Sequence, residues 1–380
     1  MVALANTSDY PAFGFEHKLL VGNPYYIIIL KQSFELKEDG TLKELDEQID
    51  IKLHDTANES LRWNEVRETS DLIPYKPQPE VILNGVAKSA TPQNQWLCGV
   101  DIKQIENNKI NAWSKQILVT GSRYWQRVDN NWTLSKIDPT TKVRLGYENS
   151  YGGHFLLDTA NGADKDNSPA ASVSYPLNPA GKGWLPSAKD QEKLSDEQCQ
   201  SLGVQLKSLT VMAAPQLFAI NTNQAVNNLK TPYDSLVVAG FGSYANFWKM
   251  RTQYLSEQLD WSEDSAYGGY PVDFDMKHWQ QAPADQWLDF ELKGNEIVTL
   301  TGFFAEGKQS YALPTSIAYV LVRDPTKLAM KLDMKIDTLI IDTEKRTLEI
   351  VWRRIVLLTD FSPDTLIECN AFTTTNFKRL

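Results

Sequence analysis

YYIIILKQSFEL, residues 25–36, begins as an unbroken apolar run and ends in alternation. Its β-branched and aromatic residues favour an extended strand. Two further strong segments lie near the end of the chain. Lys331–Asp342 alternates in MKIDTLIID, and Thr347–Leu358 reads TLEIVWRRIVLL after the polar stretch Thr343–Arg346. Two such runs around a short polar connection predict an antiparallel hairpin. Working outward, strand signals recur at Glu80–Ala87, Trp96–Lys103, Lys115–Gln126, Val143–Asn149, Leu206–Met212, Ser235–Phe241, Trp287–Leu292 and Glu296–Phe304.

Helix signals are few. Ser195 with Gln198 three positions on forms a capping box, and Gly203 marks the expected end. Phe247, Met250 and Tyr254, with Trp261 just beyond, are spaced for one apolar face of a helix over Ser243–Gln258. Met276–Leu288 predicts a short helix broken at Pro283. The expected fold is therefore mainly β: two packed antiparallel sheets or two β lobes, with long loops and few short helices. Residues 156–193, rich in Asn, Ser, Pro, Gly and Ala, read as a long connection. It divides an N-terminal β half, 1–155, from a β-rich half, 194–380, unless the chain forms one continuous domain.

The composition excludes several classes of function. The 380 residues carry a net charge of −10, which gives no broad positive field for phosphate backbones or acidic membrane surfaces. Nucleic acid and membrane are therefore not expected partners. The three cysteines, Cys98, Cys199 and Cys369, are odd in number and widely spaced, which fits a reducing cytosol. No basic segment followed by an apolar one opens the chain, so a cytoplasmic location is expected.

A search for catalytic chemistry finds little. His17, His54, His154 and His278 form no HExxH and no zinc spacing with cysteine. There is no GxSxG elbow and no phosphate loop. Asp273, Asp275 and Asp285 could serve as metal ligands or an acid–base pair, with His154 as a base, in a carboxylate-dependent hydrolase. Turn and helix capping explains the same carboxylates. The 11 tryptophans suggest either core or a carbohydrate-binding β-sandwich with exposed rings. No catalytic residue, metal or cofactor is expected.

One ordered series of motifs is more specific. NTSDYPAFGFE and YYIIILKQSFEL are followed by SDLIPYKP at 70–77 and EVILNGVA at 80–87. VRLGYENSYGG, NPAGKGW, GFG with Trp248 downstream, PVDFD, APADQ, LKGNE and YALP come next. From about Ala5 to Trp352 this series resembles an adaptor or chaperone family of type VI secretion systems, first catalogued as a domain of unknown function. Its members are encoded beside VgrG spikes, PAAR tips and toxic effectors. The resemblance implies a non-enzymatic protein that holds a cognate effector or PAAR protein and assists its loading onto VgrG. The family-like positions are Asp71, Pro74, Tyr75, Lys76, Pro77, Arg144, Tyr147, Gly152, Gly153, Asn178, Pro179, Gly181, Gly183, Asp273, Phe274, Asp275, Pro283, Asp285 and Gln286. Their Pro, Gly and turn-forming Asp content points to fold specification. Between Arg251 and Pro271 the chain departs from the Gly-Thr-Tyr-Asp-like pattern of the family.

Overall fold

The computed structural model describes residues 2–18, 23–57, 66–106, 108–129, 131–157, 172–220, 236–255, 270 and 274–373. The fold is mainly β, with three short α-helices among the described residues.

The central sheet grows from Pro24–Leu36. Ile27, Ile28, Ile29 and Leu30 are all fully buried, so the strand is covered on both faces. That double burial is why the sequence shows a continuous apolar run where a half-exposed strand would alternate. Its neighbour is Thr347–Leu357, antiparallel from Thr347 opposite Glu35 to Leu357 opposite Tyr25. The expected hairpin then places Lys335–Asp342 beside Thr347–Leu357, with a register shift at Asp337. Glu80–Asn84 completes that side in parallel orientation, and Ala12–Lys18 lies on the other. The antiparallel expectation thus gives way at three strand pairs among the described residues: here, where Ala3–Asn6 pairs in parallel with Leu366–Thr373, and where Tyr151–Gly152 pairs in parallel with Lys182–Gly183.

Two more sheets share the core. The hairpin Gln95–Glu106 and Lys109–Thr120 joins Ile297–Thr301, Gln309–Ala312 and Leu217–Ala219 in a five-stranded sheet. A four-stranded sheet runs Ala3–Asn6, Leu366–Thr373, Ser316–Arg323, Met330–Asp333. Ile28, Leu339 and Ile350 from the central sheet meet Val100, Ile102 and Leu300 from the second and Val320 and Ile367 from the third in one apolar cluster. Strands from either side of residues 156–193 interleave in these sheets. The described part of that stretch is tied down: Ser172–Ser174 pairs with His154–Leu156, and Lys182–Gly183 with Tyr151–Gly152.

Several local expectations are corrected. The capping box forms as expected, but the helix runs Asp196–Ser208, past Gly203. Leu202 and Leu206 pack into a second apolar cluster and hold that helix through the glycine. Within Ser243–Gln258 only Lys249–Thr252 is α-helical among the described residues, because Tyr244 and Trp248 turn into an aromatic knot with Tyr147 instead of lining a helix. Met276–Trp279 and Ala284–Gln286 are single 3-10 turns. The Leu206–Met212 strand signal is borne out only at Val211 and Met212, in the strand Val211–Ala213, and begins on a helix end, while Trp287–Leu292 falls on loop with isolated bridges. No helix among the described residues is long and apolar enough to cross a membrane.

The core reading yields a direct expectation. Ile350 is fully buried where the sheets meet. Ile350→Ala should lower unfolding free energy by about 2–5 kcal/mol in urea titration. A loss under about 1 kcal/mol would mean the site collapses without a cavity.

A buried ionic clamp and the groove beside it

Alternation along Pro24–Leu36 puts Lys31 on the same face as Ile27 and Ile29. On Thr347–Leu357 it puts Glu349 and Arg353 on the face of Val351. That face is covered, so these charges are buried: Lys31 is fully inaccessible and Glu349 and Arg353 nearly so. Unpaired charges there would cost several kcal/mol each. The segment lying over them supplies partners.

That segment is SDLIPYKPQPE, residues 70–80. The Asp71 carboxylate meets the Lys31 ammonium, which also lies 3.0 Å from Glu349 Oε2. Burial alone would push the Lys31 ammonium down. The carboxylates of Asp71 and Glu349 outweigh it and hold the group above the ordinary lysine value. Lys52 continues the chain of charges, with its Nζ 3.3 Å from Glu349 Oε1, while its backbone N–H donates to Asp71 Oδ2 at 2.8 Å. Arg353 donates from Nε to Asp337 Oδ2 at 2.5 Å, and from its terminal nitrogens to the carbonyls of Asp71 and Ile73. Lys76 Nζ donates to Glu80 Oε1 at 2.5 Å, Thr338 Oγ1 at 2.7 Å and Gln281 Oε1 at 3.0 Å. The second Glu80 oxygen accepts from the backbone N–H groups of Gln281 and Ala282 and from Gln280 Nε2.

The motif thus has a division of labour. Asp71 and Lys76 anchor it, and Pro74, itself buried, and half-buried Pro77 restrict its backbone. Tyr75 is the one exposed residue between Asp71 and Glu80, at 38%. It stands on the rim of a groove of about 920 Å³. Lys331–Asp337, Trp352–Ile355 and Ile317 form the rest of the wall. This is at the upper end of volumes typical of ligand pockets.

The remaining family-like positions lie elsewhere and make structural bonds. Asn178, fully buried, donates from Nδ2 to the carbonyls of Tyr147 at 2.9 Å and Tyr151 at 3.0 Å. Its own carbonyl accepts from the N–H groups of Gly153 at 3.0 Å and Gly181 at 3.3 Å. Gly152 has φ +153°, and a Cβ there would strike the Asn178 carbonyl, so only glycine fits beside it. Gly183 pairs with Gly152, and the Pro179 carbonyl meets His154 Nδ1 at 3.0 Å. The Tyr147 hydroxyl donates to the Gly242 carbonyl at 3.0 Å. Arg144 pairs with Glu148, 3.0 Å apart. Arg144 and Tyr147 line a cavity of about 360 Å³ whose Lys345 and Glu68 pair with each other at 2.6 Å.

The carboxylates considered for catalysis are similarly engaged. Asp275 Oδ1 accepts from the Lys277 N–H at 2.9 Å and caps a 3-10 turn. Phe274 stacks on Tyr270 with centroids 4.2 Å apart. Asp285, after Pro283, pairs with Lys115 at 2.8 Å. Burial pushes the Lys115 ammonium down, and Asp285 counters part of that. Gln286 accepts from Lys115 at 2.7 Å and donates to the carbonyls of Val81 and Phe241, fixing the outer edge of the central sheet. The cavity beside Asp285 is lined by neither Asp275 nor His154. Asp273 lies outside the described residues. No group of three or more His, Cys, Asp or Glu placed to hold a metal ion occurs among the described residues. None of the described tryptophans is exposed.

Lys31, Glu80, Asp337, Glu349 and Arg353 were not singled out in the sequence. The available signal was charge placed by period-two alternation on a strand face that also carries Ile and Val.

Two outcomes follow from these charges. Lys31→Met strands Asp71 and Glu349 without their shared cation and should cost about 3–5 kcal/mol in denaturant titration. A neutral result would show that Lys52 replaces it. Lys182, which donates to Asn149 and Gln216, is pushed by burial from 10.5 to about 8. The unfolded chain then binds more protons between those values, so stability rises with pH across that window. Native protein should gain stability relative to Lys182→Met from pH 8 toward 10.5, and parallel curves would contradict this.

No curated protein and no solved structure matches this chain. Residues 21–353 match the family described as "uncharacterized protein conserved in bacteria", DUF2169, and the chain belongs to that bacterial family.

Proposed function

We propose that this chain is an adaptor or chaperone of a type VI secretion system: it binds a cognate toxic effector or PAAR-tip protein in the cytoplasm and assists its loading onto the VgrG spike. The ordered motif series supports the system, and the groove supports binding of a polypeptide. The observation that carries the binding role is an anchored segment presenting Tyr75 beside exposed strand edges. Met330–Asp333 is the outer strand of its sheet and borders the groove. An open strand edge can take up another chain by backbone hydrogen bonding, and an exposed aromatic at its side supplies an anchor.

The hydrolase alternative asks Asp273, Asp275, Asp285 and His154 to act together; Asp273 lies outside the described residues, and the other three are each bonded to separate partners. The carbohydrate alternative asks for exposed tryptophans, and the described ones are buried or half-buried.

Co-expression with the neighbouring effector or PAAR protein tests the adaptor reading. The partner should co-purify with the tagged chain and lose solubility when the chain is omitted. A partner that is not retained and stays soluble alone would sink it.

A further inference from the structure

We infer that the groove receives an extended acidic segment of another polypeptide as an added strand, with Arg354 as the receptor for its carboxylates. This rests on the adaptor reading and names the chemistry of what is held.

Three observations converge. The first is an unfinished strand edge. Pairing of Thr347–Leu357 with Pro24–Leu36 continues to Leu357 opposite Tyr25, but pairing on its other side stops at Arg353 opposite Lys335. Residues 354–357 therefore have no strand partner on that side among the described residues. Four residues extend roughly 13 Å, room for a short added strand. Arg354 and Ile355 from this edge line the groove, as do Lys331 and Asp333 from the outer strand of the four-stranded sheet.

The second is charge. The groove lining holds six cations and three carboxylates (Lys76, Lys293, Lys331, Lys335, Arg353 and Arg354 against Glu291, Asp333 and Asp337) in a chain whose net charge is −10. With Glu80 and Glu106, which pair with Lys76 and Lys293 from outside the lining, the balance still leaves an excess of one positive charge on an acidic protein, which favours an acidic partner.

The third is Arg354 itself. The other cations already have carboxylates: Lys76 with Glu80, Arg353 with Asp337, Lys335 with Glu291, Lys331 with Asp333 and Lys293 with Glu106. Arg354 meets none among the described residues. One terminal nitrogen donates weakly to the Asp333 carbonyl at 3.4 Å, and its Nε is buried without a partner. The contact of that terminal nitrogen is exposed, and a carboxylate arriving along the open edge would meet the guanidinium there with a charge-assisted bond. Tyr75, exposed and lining the same groove, supplies an aromatic contact to the segment.

Selection of a random phage-displayed peptide library on the purified full chain tests this. Enriched peptides should be acidic and free of proline at their centre. They should bind Arg354→Glu at least about tenfold more weakly in fluorescence anisotropy, the scale of losing a hydrogen-bonded charge contact. If Arg354→Glu fails to fold, exposed Lys331→Glu carries the same expectation. Enrichment of neutral or basic peptides, absence of enrichment, or unchanged binding by the folded variant would overturn the inference. So would a dimer in light scattering that the variant disperses, since the occupant would then be a second copy. An effector retained equally by native and variant protein would remove the groove while leaving the adaptor reading intact. Capture of acidic peptides without retention of any effector would do the reverse.

Discussion

Lys31 sits at the middle of the longest strand, on a face where every neighbouring position is apolar or paired. Its ammonium has no path to water. Such a group is tolerated only when carboxylates are brought to it, and Asp71 arrives on a segment that is not itself part of the sheet. The covering layer is therefore specified by charge as much as by apolar contact. Arg353 and Glu80 repeat the device at two further points, using the backbone of residues 71 and 73 and the Lys76 side chain. Buried ion pairs contribute little net stability compared with apolar packing, but they penalise misplacement severely. Here that penalty fixes where the segment lies, and with it where Tyr75 stands.

A clamp of this kind separates two requirements that conflict in a binding surface. An exposed aromatic on an unconstrained loop would lose conformational freedom on binding. Held between Pro74 and Lys76, Tyr75 has already lost much of it. The open strand edges opposite add the complementary feature, backbone groups that remain available because the neighbouring strands end early.

Much of the sheet architecture was legible in the chain. Residues 25–36 and 347–358 announced themselves because burial on both faces removes the need for alternation. The capping box at Ser195 was legible because it is a local bond. What could not be read was long-range. The parallel neighbour Glu80–Asn84 depends on which strand ends up beside it, and nothing within its five residues records that. The helix expected over Ser243–Gln258 failed because Tyr244 and Trp248 serve a knot organised by Tyr147, about a hundred positions earlier in the chain. The family-like residues were seen but their roles were not: Asp71 and Lys76 read only as part of a fold-specifying set, and only the layer beneath them shows them as counter-ions.

The central sheet also has a temporal consequence. Gln32 accepts a hydrogen bond from Trp352, 320 residues away. Gln32 of the strand at 24–36 leaves the ribosome 320 residues before Trp352 of its principal partner. Until then four consecutive Ile and Leu residues and a cation have no covering layer on their inner edge. Topologies of this kind close slowly, because loop-closure entropy precedes any gain from contact. During its own synthesis the chain is itself in need of shielding.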